Sequence, residues 1–239
     1  MKACVVGYGA MGKILSQLLG DELACNVAPE CELKTLDDTD GNFDVIIDFS
    51  NVANLDMIIS YVKKTKKPVV FATTGYTDEQ NKKIEELAKE APVLKSANFS
   101  LGVILLNKLV KEITPILKDD FDIEVIEAHH NKKLDAPSGT AKMLVKSITE
   151  ETGFKVVEGR SGYCPRSHEE IGVSAVRGGT IVGEHEVLYC GEDEIITLKH
   201  SAHSKKIFAI GAIKAAKWLA SKGAGFYNMD DVLFGSNNK

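Results

Sequence analysis

The sequence holds no stretch approaching the roughly 20 apolar residues that a bilayer crossing needs, so no membrane span is predicted. It also offers no separate apolar leader. Met1-Lys2-Ala3-Cys4-Val5-Val6 runs straight into a strand-like segment, and secretion is not expected. No Cys-x-x-Cys occurs, and the 5 cysteines (Cys4, Cys25, Cys31, Cys164, Cys190) are scattered and odd in number. That excludes a disulfide framework and fits a reducing cytoplasm. Cys25 and Cys31 read as buried or incidental thiols, and no metal is expected. A basic excess is missing too: 29 Lys and Arg against 34 Asp and Glu give a formal net charge of -5, unlike a protein that coats nucleic acid. Repeats and low-complexity segments are absent. What is there is an ordinary globular balance, 44% hydrophobic and 26% charged, over 239 residues, enough for one large domain or two modest ones.

The first hundred residues alternate short apolar runs with amphipathic stretches, which predicts a parallel sheet with crossover helices. Lys2 to Val6, Leu23 to Ala28, Val45 to Phe49, Val69 to Ala72 and Val93 to Lys95 read as strands. Helices are predicted over Lys13 to Leu19, from Ser50 or Asn51 to about Thr65, and from the capping-box run Thr77-Asp78-Glu79-Gln80 to about Glu90. From about residue 101 the character changes. A helix over Gly102 to Leu117 precedes Phe121 to Ile126, whose alternating apolar and acidic residues suit a sheet with one wet face. After a helix from Thr140 to about Glu151, strands are predicted over Val173 to Arg177, Thr180 to Cys190 and Glu194 to His200. Gly178-Gly179 reads as a two-residue hairpin turn between the first two of these. A helix over Lys205 to Ser221 and a short tail end the chain. The expected fold is α/β: an N-terminal dinucleotide-binding domain of residues 1–100 plus 206–239, and a second α+β domain on a mixed sheet, residues 101–205.

Gly7-Tyr8-Gly9-Ala10-Met11-Gly12 fits G-x-G-x-x-G directly behind the first strand and at the opening of a helix. There the first glycine permits a tight turn, the second lets backbone approach a pyrophosphate, and the third lets helix and strand pack closely. The helix N-terminus supplies free N–H groups for the phosphates. A ribose-binding acid is expected at the end of the second strand, where Pro29-Glu30 stands instead. Glu30 can serve as that acid or be a solvated loop residue, and Lys34 suits a 2′-phosphate equally well. NAD and NADP both remain open.

The densest chemistry lies in Glu127-Ala128-His129-His130-Asn131-Lys132-Lys133-Leu134-Asp135-Ala136-Pro137-Ser138-Gly139-Thr140-Ala141. Two histidines end a strand, two lysines follow in a loop, and small residues open a helix whose N–H groups can take an anion. Imidazoles and ammonium groups put positive charge and transferable protons in one place. This run resembles the signature of the 4-hydroxy-tetrahydrodipicolinate reductase (dihydrodipicolinate reductase) family. The resemblance continues in Ala72-Thr73-Thr74-Gly75, in Ser96-Ala97-Asn98-Phe99-Ser100 and in Arg177 to His185, and so covers the whole chain in order.

The resemblance implies an NADH- or NADPH-dependent oxidoreductase of lysine and diaminopimelate synthesis that reduces a cyclic imine carrying two carboxylates. His129 matches the family's acid/base histidine and Lys133 its proton donor; His130, Gly139 and Thr140 match substrate-binding positions. Gly7 to Gly12, Phe49, Ala72, Thr73, Thr74, and Ser96, Ala97, Asn98 and Phe99 match the stretches that line the cofactor. The family's fold is a Rossmann domain plus a mixed-sheet domain that builds a homotetramer, with the C-terminal helix packed back on the first domain. Two other readings compete on the residues. A semialdehyde dehydrogenase needs a nucleophilic cysteine beside a base, a setting neither Cys164 nor Cys190 has in the sequence. A nucleotide-binding sensor that catalyses nothing has no need of His129, His130 and Lys133 before an anion site.

Overall fold

The structure, a computed structural model, describes residues 1–235. The first segment alternates strand and helix: β1 (Ala3–Val6), α1 (Ala10–Leu19), β2 (Leu23–Val27), β3 (Val45–Asp48) and α2 (Leu55–Thr65). It continues through β4 (Val69–Phe71), α3 (Asp78–Leu87) and β5 (Pro92–Lys95). The middle of the chain gives α4 (Leu101–Leu117), β6 (Asp122–His129), α5 (Gly139–Thr152) and β7 (Lys155–Glu158). Then come β8 (Glu170–Arg177), β9 (Gly183–Cys190) and β10 (Ile195–Ala202). The last stretch holds α6 (Lys206–Leu219), β11 (Gly225–Tyr227) and α7 (Met229–Phe234). Two compact units result: residues 1–101 with the chain from Lys206 onward, and Gly102–Lys205.

The first unit carries a six-stranded sheet in the order β11-β5-β4-β3-β1-β2, parallel at every pair. β1, β3 and β4 are buried at every residue, which is why they read as apolar runs, with Asp48 closing β3. Cys4, Val6, Ile46, Val69, Phe71 and Val93 join α2 and α3 residues in one core. Strand alternation turns Val5, Ile47, Val70 and Leu94 to the opposite face, where α6 packs against β3, β4, β5 and α1. The order reverses after β1, with β2 on one side and β3 on the other, so a crevice opens beyond their C-terminal ends. Gly7 follows β1 there, and Phe49 follows β3.

The second unit carries a five-stranded mixed sheet, β10-β9-β6-β8-β7, antiparallel at its first two pairs and parallel at the others. Leu106 and Val110 of α4 and Leu144 and Ile148 of α5 cover Ile123, Val125, Ile171, Val187 and Tyr189 on one face. Ser147 donates to Asn107 Oδ1 at 2.8 Å and ties the two helices.

Several local expectations are corrected. Gly178-Gly179 does not make a hairpin: β6 lies between β8 and β9, and residues 178–182 cross over its end. Gly178 N–H donates to His129 O at 2.9 Å, and Asn131 N–H donates to Gly179 O at 3.2 Å. A glycine pair specifies a tight bend, not which strand becomes the neighbour, and β6, with its alternate residues buried, takes the central place. β7 was not predicted because it is a short, mostly exposed edge strand. The expected tail instead adds β11 to the parallel sheet and caps α7 with Asn228, whose Oδ1 accepts from Asp230 and Asp231 N–H. α1 begins at Ala10, three residues before the apolar periodicity suggests.

The face of α6 that meets the sheet is built of Ala209, Gly211, Ala212, Ala215, Ala216 and Leu219. Small residues let the helix backbone sit directly on the strand ends. A methyl group at Gly211 would lie 1.6 Å from the Phe99 carbonyl oxygen. In an open helix Gly→Ala stabilises by about 0.5–1 kcal/mol; here the sign reverses. Gly211→Ala is expected to cost about 1–3 kcal/mol through overpacking, read as a lower Tm by circular dichroism. A raised Tm would refute the close approach.

Candidate functional site

The glycine loop divides its labour as the motif predicts. Gly7 has φ +102°, and a side chain there would meet the Phe49 carbonyl oxygen at 2.3 Å. A side chain at Gly12 would meet the Gly7 carbonyl oxygen at 2.1 Å. Gly9 differs: a Cβ there meets nothing within 4 Å, and this residue is the N-cap of α1 with no side-chain cap. The first N–H groups of a helix have no partner within it, so the loop presents uncapped donors beside open space. That cradle fits a dinucleotide pyrophosphate. Tyr8, Ala10 and Met11 complete the loop, with Lys13 Nζ 5.4 Å from the centre of the Tyr8 ring.

Past the crevice, Phe49 and Phe99 bring their rings to 6.1 Å. Ala72 N–H donates to Asp48 O at 2.9 Å, which fixes the start of the Ala72-Thr73-Thr74 segment at the end of β4. Ser96 Oγ donates to Asn98 O at 2.8 Å, and Ser100 N–H donates to Asn98 Oδ1 at 2.8 Å, which folds the segment after β5. Thr73, Thr74, Ser96 and Ala97 line one open cleft of about 730 Å³, together with Tyr76 and Lys95. Asp48 organises this end of the sheet and was not foreseen. Its buried carboxylate accepts from the Ser50 hydroxyl, from Ser50 N–H at 3.1 Å and from Tyr76 OH at 3.0 Å. Burial raises the Asp48 carboxyl above its ordinary value, although these bonds and Thr73 oppose the rise. At the end of β2, Lys34 Nζ is turned back on its own loop and donates to Pro29 O at 2.6 Å and to Cys31 O, while Glu30 is exposed.

In the second unit the C-terminal end of β6 meets the N-terminal end of α5. Buried positions of β6 alternate as Ile123, Val125, Glu127 and His129, so an acid and an imidazole end an otherwise apolar stripe. Glu127 is 0% exposed. Its Oε1 accepts from Arg177 Nη2 at 2.8 Å and from Ser138 N–H at 3.0 Å, and its Oε2 accepts from Arg177 Nη1 at 2.8 Å. The same Oε2 stands 2.6 Å from His129 Nδ1. Burial works to raise this carboxyl, but Arg177, His129 and the Ser138 amide together hold it below the usual carboxylate range. His185, the β9 neighbour of Glu127, packs edge-on against His129 at 5.2 Å, and its Nε2 lies 2.9 Å from Ser138 Oγ. Burial, helped by the neighbouring His129, pushes His185 down to about 4. It is therefore neutral near pH 7.

The structure brings the residues singled out in the sequence to this place. His129 is buried, and His130 is half-buried just beyond the strand. Lys133 N–H donates to His130 O at 3.1 Å, and its ammonium pairs with Asp135 Oδ1 at 2.8 Å. Ser138 is the N-cap of α5: its Oγ accepts from Ala141 N–H at 3.2 Å. Gly139 and Thr140 form the first turn, and a Cβ at Gly139 would meet nothing within 4 Å. The cluster is less cationic than its composition suggests, because Asp135 offsets Lys133 and Glu127 offsets Arg177. Glu127, Arg177, Ser138 and His185 were given no role from the sequence. One signal was available for Glu127: it is out of phase with Asp122 and Glu124, whose parity puts them on the wet face. Among the described residues no group of three His, Cys, Asp or Glu side chains could hold a metal ion, and no helix is long and apolar enough to cross a membrane.

Comparison with known proteins accounts for both units. The family model for the dihydrodipicolinate reductase N-terminus matches residues 1–99, and that for its C-terminus matches residues 102–233. The 4-hydroxy-tetrahydrodipicolinate reductase of Clostridium novyi (strain NT) is 44% identical over 244 residues, covering 96% of each chain. That of Brachyspira hyodysenteriae is 43% identical over 235 residues, covering 98% of this chain and 100% of its own. Among solved structures, the dipicolinate-bound dihydrodipicolinate reductase from Paenisporosarcina sp. TG-14 shares the fold, with a TM-score of 0.76 at 20% identity over 98% of this chain and 99% of that one. This chain belongs to the dihydrodipicolinate reductase family.

Proposed function

We propose that the protein reduces 4-hydroxy-tetrahydrodipicolinate to tetrahydrodipicolinate, with loss of water, at the expense of NADH or NADPH. Its place is then lysine and diaminopimelate biosynthesis. The observation that carries this reading is the buried Glu127–His129 pair, set beside the open first turn of α5 and the Lys133 loop. Relatives of that name align with this chain almost end to end at 43% and 44% identity, which supports the same reaction.

Residues 1–101 with the chain from Lys206 form the cofactor-binding domain in this reading, and Gly102–Lys205 the substrate-binding and oligomerisation domain. The uncapped N–H groups after Gly9 hold the pyrophosphate. Phe49, Ala72 to Thr74 and Ser96 to Phe99 line the rest of the cofactor site. The reduced nicotinamide supplies the hydride. Gly139 and Thr140 N–H groups, the Thr140 hydroxyl and His130 grip one carboxylate of the diacid, and the helix dipole favours its charge. Once the 4-hydroxyl has left as water, reduction at C4 leaves an electron pair over the conjugated C3 and nitrogen. Lys133 delivers the proton that quenches it, and His129 acts as the acid/base partner. The face of the second sheet away from α4 and α5 carries Ile126, Val176, Leu188 and Ile195, with Val176 49% and Ile195 62% exposed. Asp122, Glu124, Glu184, Glu186 and Lys199 share this mixed face, and its exposed Val176 and Ile195 support assembly as a homotetramer, while five free thiols suit the cytoplasm.

The direct test is a pair of progress curves on freshly generated substrate, one with NADH and one with NADPH, followed by the absorbance of the reduced cofactor. Oxidation of either cofactor at the rate the imine is consumed is expected, and no oxidation of either would end the proposal. Lys133→Ala is expected to lower kcat by about 10²–10⁴-fold, the usual worth of a positioned acid. A kcat within a few-fold of the parent would remove Lys133 from the role of proton donor. Thr140→Ala should act mainly on KM for the diacid, since a carboxylate contact is made in ground and transition states alike. An unchanged KM would contradict the anion clamp.

A further inference from the structure

We propose that Glu127 is a positioning residue: it holds His129 as the tautomer protonated on Nδ1, so that Nε2 is the nitrogen that works on the substrate. This rests on the reading of His129 as the acid/base residue. The argument begins with the carboxylate's valence. An ionised carboxylate only accepts hydrogen bonds, at about four lone-pair sites. Glu127 meets four partners: two Arg177 nitrogens, the Ser138 amide and His129 Nδ1. The first three can only donate. At 2.6 Å the fourth must donate as well, so the imidazole proton sits on Nδ1. The guanidinium balances the carboxylate charge, which leaves orientation as the main thing Glu127 confers on His129.

With Nδ1 engaged by Glu127, Nε2 is the other working end of the ring. Gly183 of β9 stands beside that nitrogen, and a Cβ there would come to 3.0 Å from it. His185 is neutral and bonded through its own Nε2 to Ser138, so it does not take over the proton traffic of His129. Ser138 links the pair to the substrate side. Its amide is fixed by Glu127 and its hydroxyl caps α5, so one carboxylate sets both the imidazole and the helix end that grips the diacid.

Glu127→Gln separates positioning from mere packing. A glutamine amide must turn its NH2 toward one side of the pair. Toward Ser138 it faces two fixed donors, the Ser138 amide and Arg177 Nη2. Toward His129 it faces only one, because the imidazole can move its proton to Nε2 and accept at Nδ1. The variant is therefore expected to invert the His129 tautomer. The readout is the 15N spectrum of histidine-labelled full-length protein, with His129 assigned by its loss in His129→Gln. The parent should show a protonated Nδ1 and a bare Nε2, and Glu127→Gln the reverse. With the tautomer, kcat should fall by roughly 10²–10⁴-fold while KM for the diacid changes only a few-fold, and Glu127→Asp should recover part of kcat. A parent His129 with its proton on Nε2 overturns the proposal, even if no variant folds. So does a Glu127→Gln enzyme that keeps both the parental tautomer and the parental kcat. If the parent does not reduce the imine, the functional reading falls instead, and the spectrum still decides the tautomer by itself.

Discussion

A fully buried carboxylate carries the second unit. Glu127 lies on the apolar face of β6, where an uncompensated charge could not remain, and three elements converge on it to make the site tolerable. Arg177 comes from the paired strand β8, Ser138 from the entry to α5, and His129 from two residues along β6 itself. Removing one partner of such a buried pair costs about 3–5 kcal/mol, far more than an exposed ion pair is worth. The same four contacts therefore bind a strand, a helix end and the His129 imidazole into one geometry.

The first unit solves a different problem, that of letting backbone approach backbone. Gly7 and Gly12 press the nucleotide loop onto itself and onto the end of β3, and Gly211 lets α6 lie on the Phe99 carbonyl. Of the three loop glycines only Gly9 is open. Packing explains the closed glycines, and Gly9 keeps open space at the N-terminus of α1. Asp48 adds the polar counterpart, joining Ser50 and Tyr76 around the strand ends.

Much of this was legible in the residues. The buried strands announced themselves as apolar runs, and the Thr77–Gln80 capping box marked the start of α3. The glycine loop gave its own mechanism, and the change of pattern near residue 101 coincided with a change of sheet. What stayed hidden was relational. Gly178-Gly179 promised a turn but could not say that β6 would lie between the strands it joins. Glu127 opens the dense run with no role of its own in the sequence, and Arg177, fifty positions away, has no local signal that pairs the two. Lys34 looked poised for a phosphate, yet its ammonium is held by main-chain oxygens of its own loop. β7 and β11 were too short and too exposed to stand out from turns.

The return of the chain to its first unit sets an order of assembly. The apolar face made by Val5, Ile47, Val70 and Leu94 is covered by a helix that leaves the ribosome more than a hundred residues later. In the meantime all the strands of the mixed sheet have been made, and that unit can close on local and intermediate contacts. The nascent parallel sheet, by contrast, waits with one side bare and with β11 still missing from its edge. Such a half-covered sheet is the species most prone to stray association during synthesis. Residues 206–234 thus act as a cover that completes the first part of the protein last.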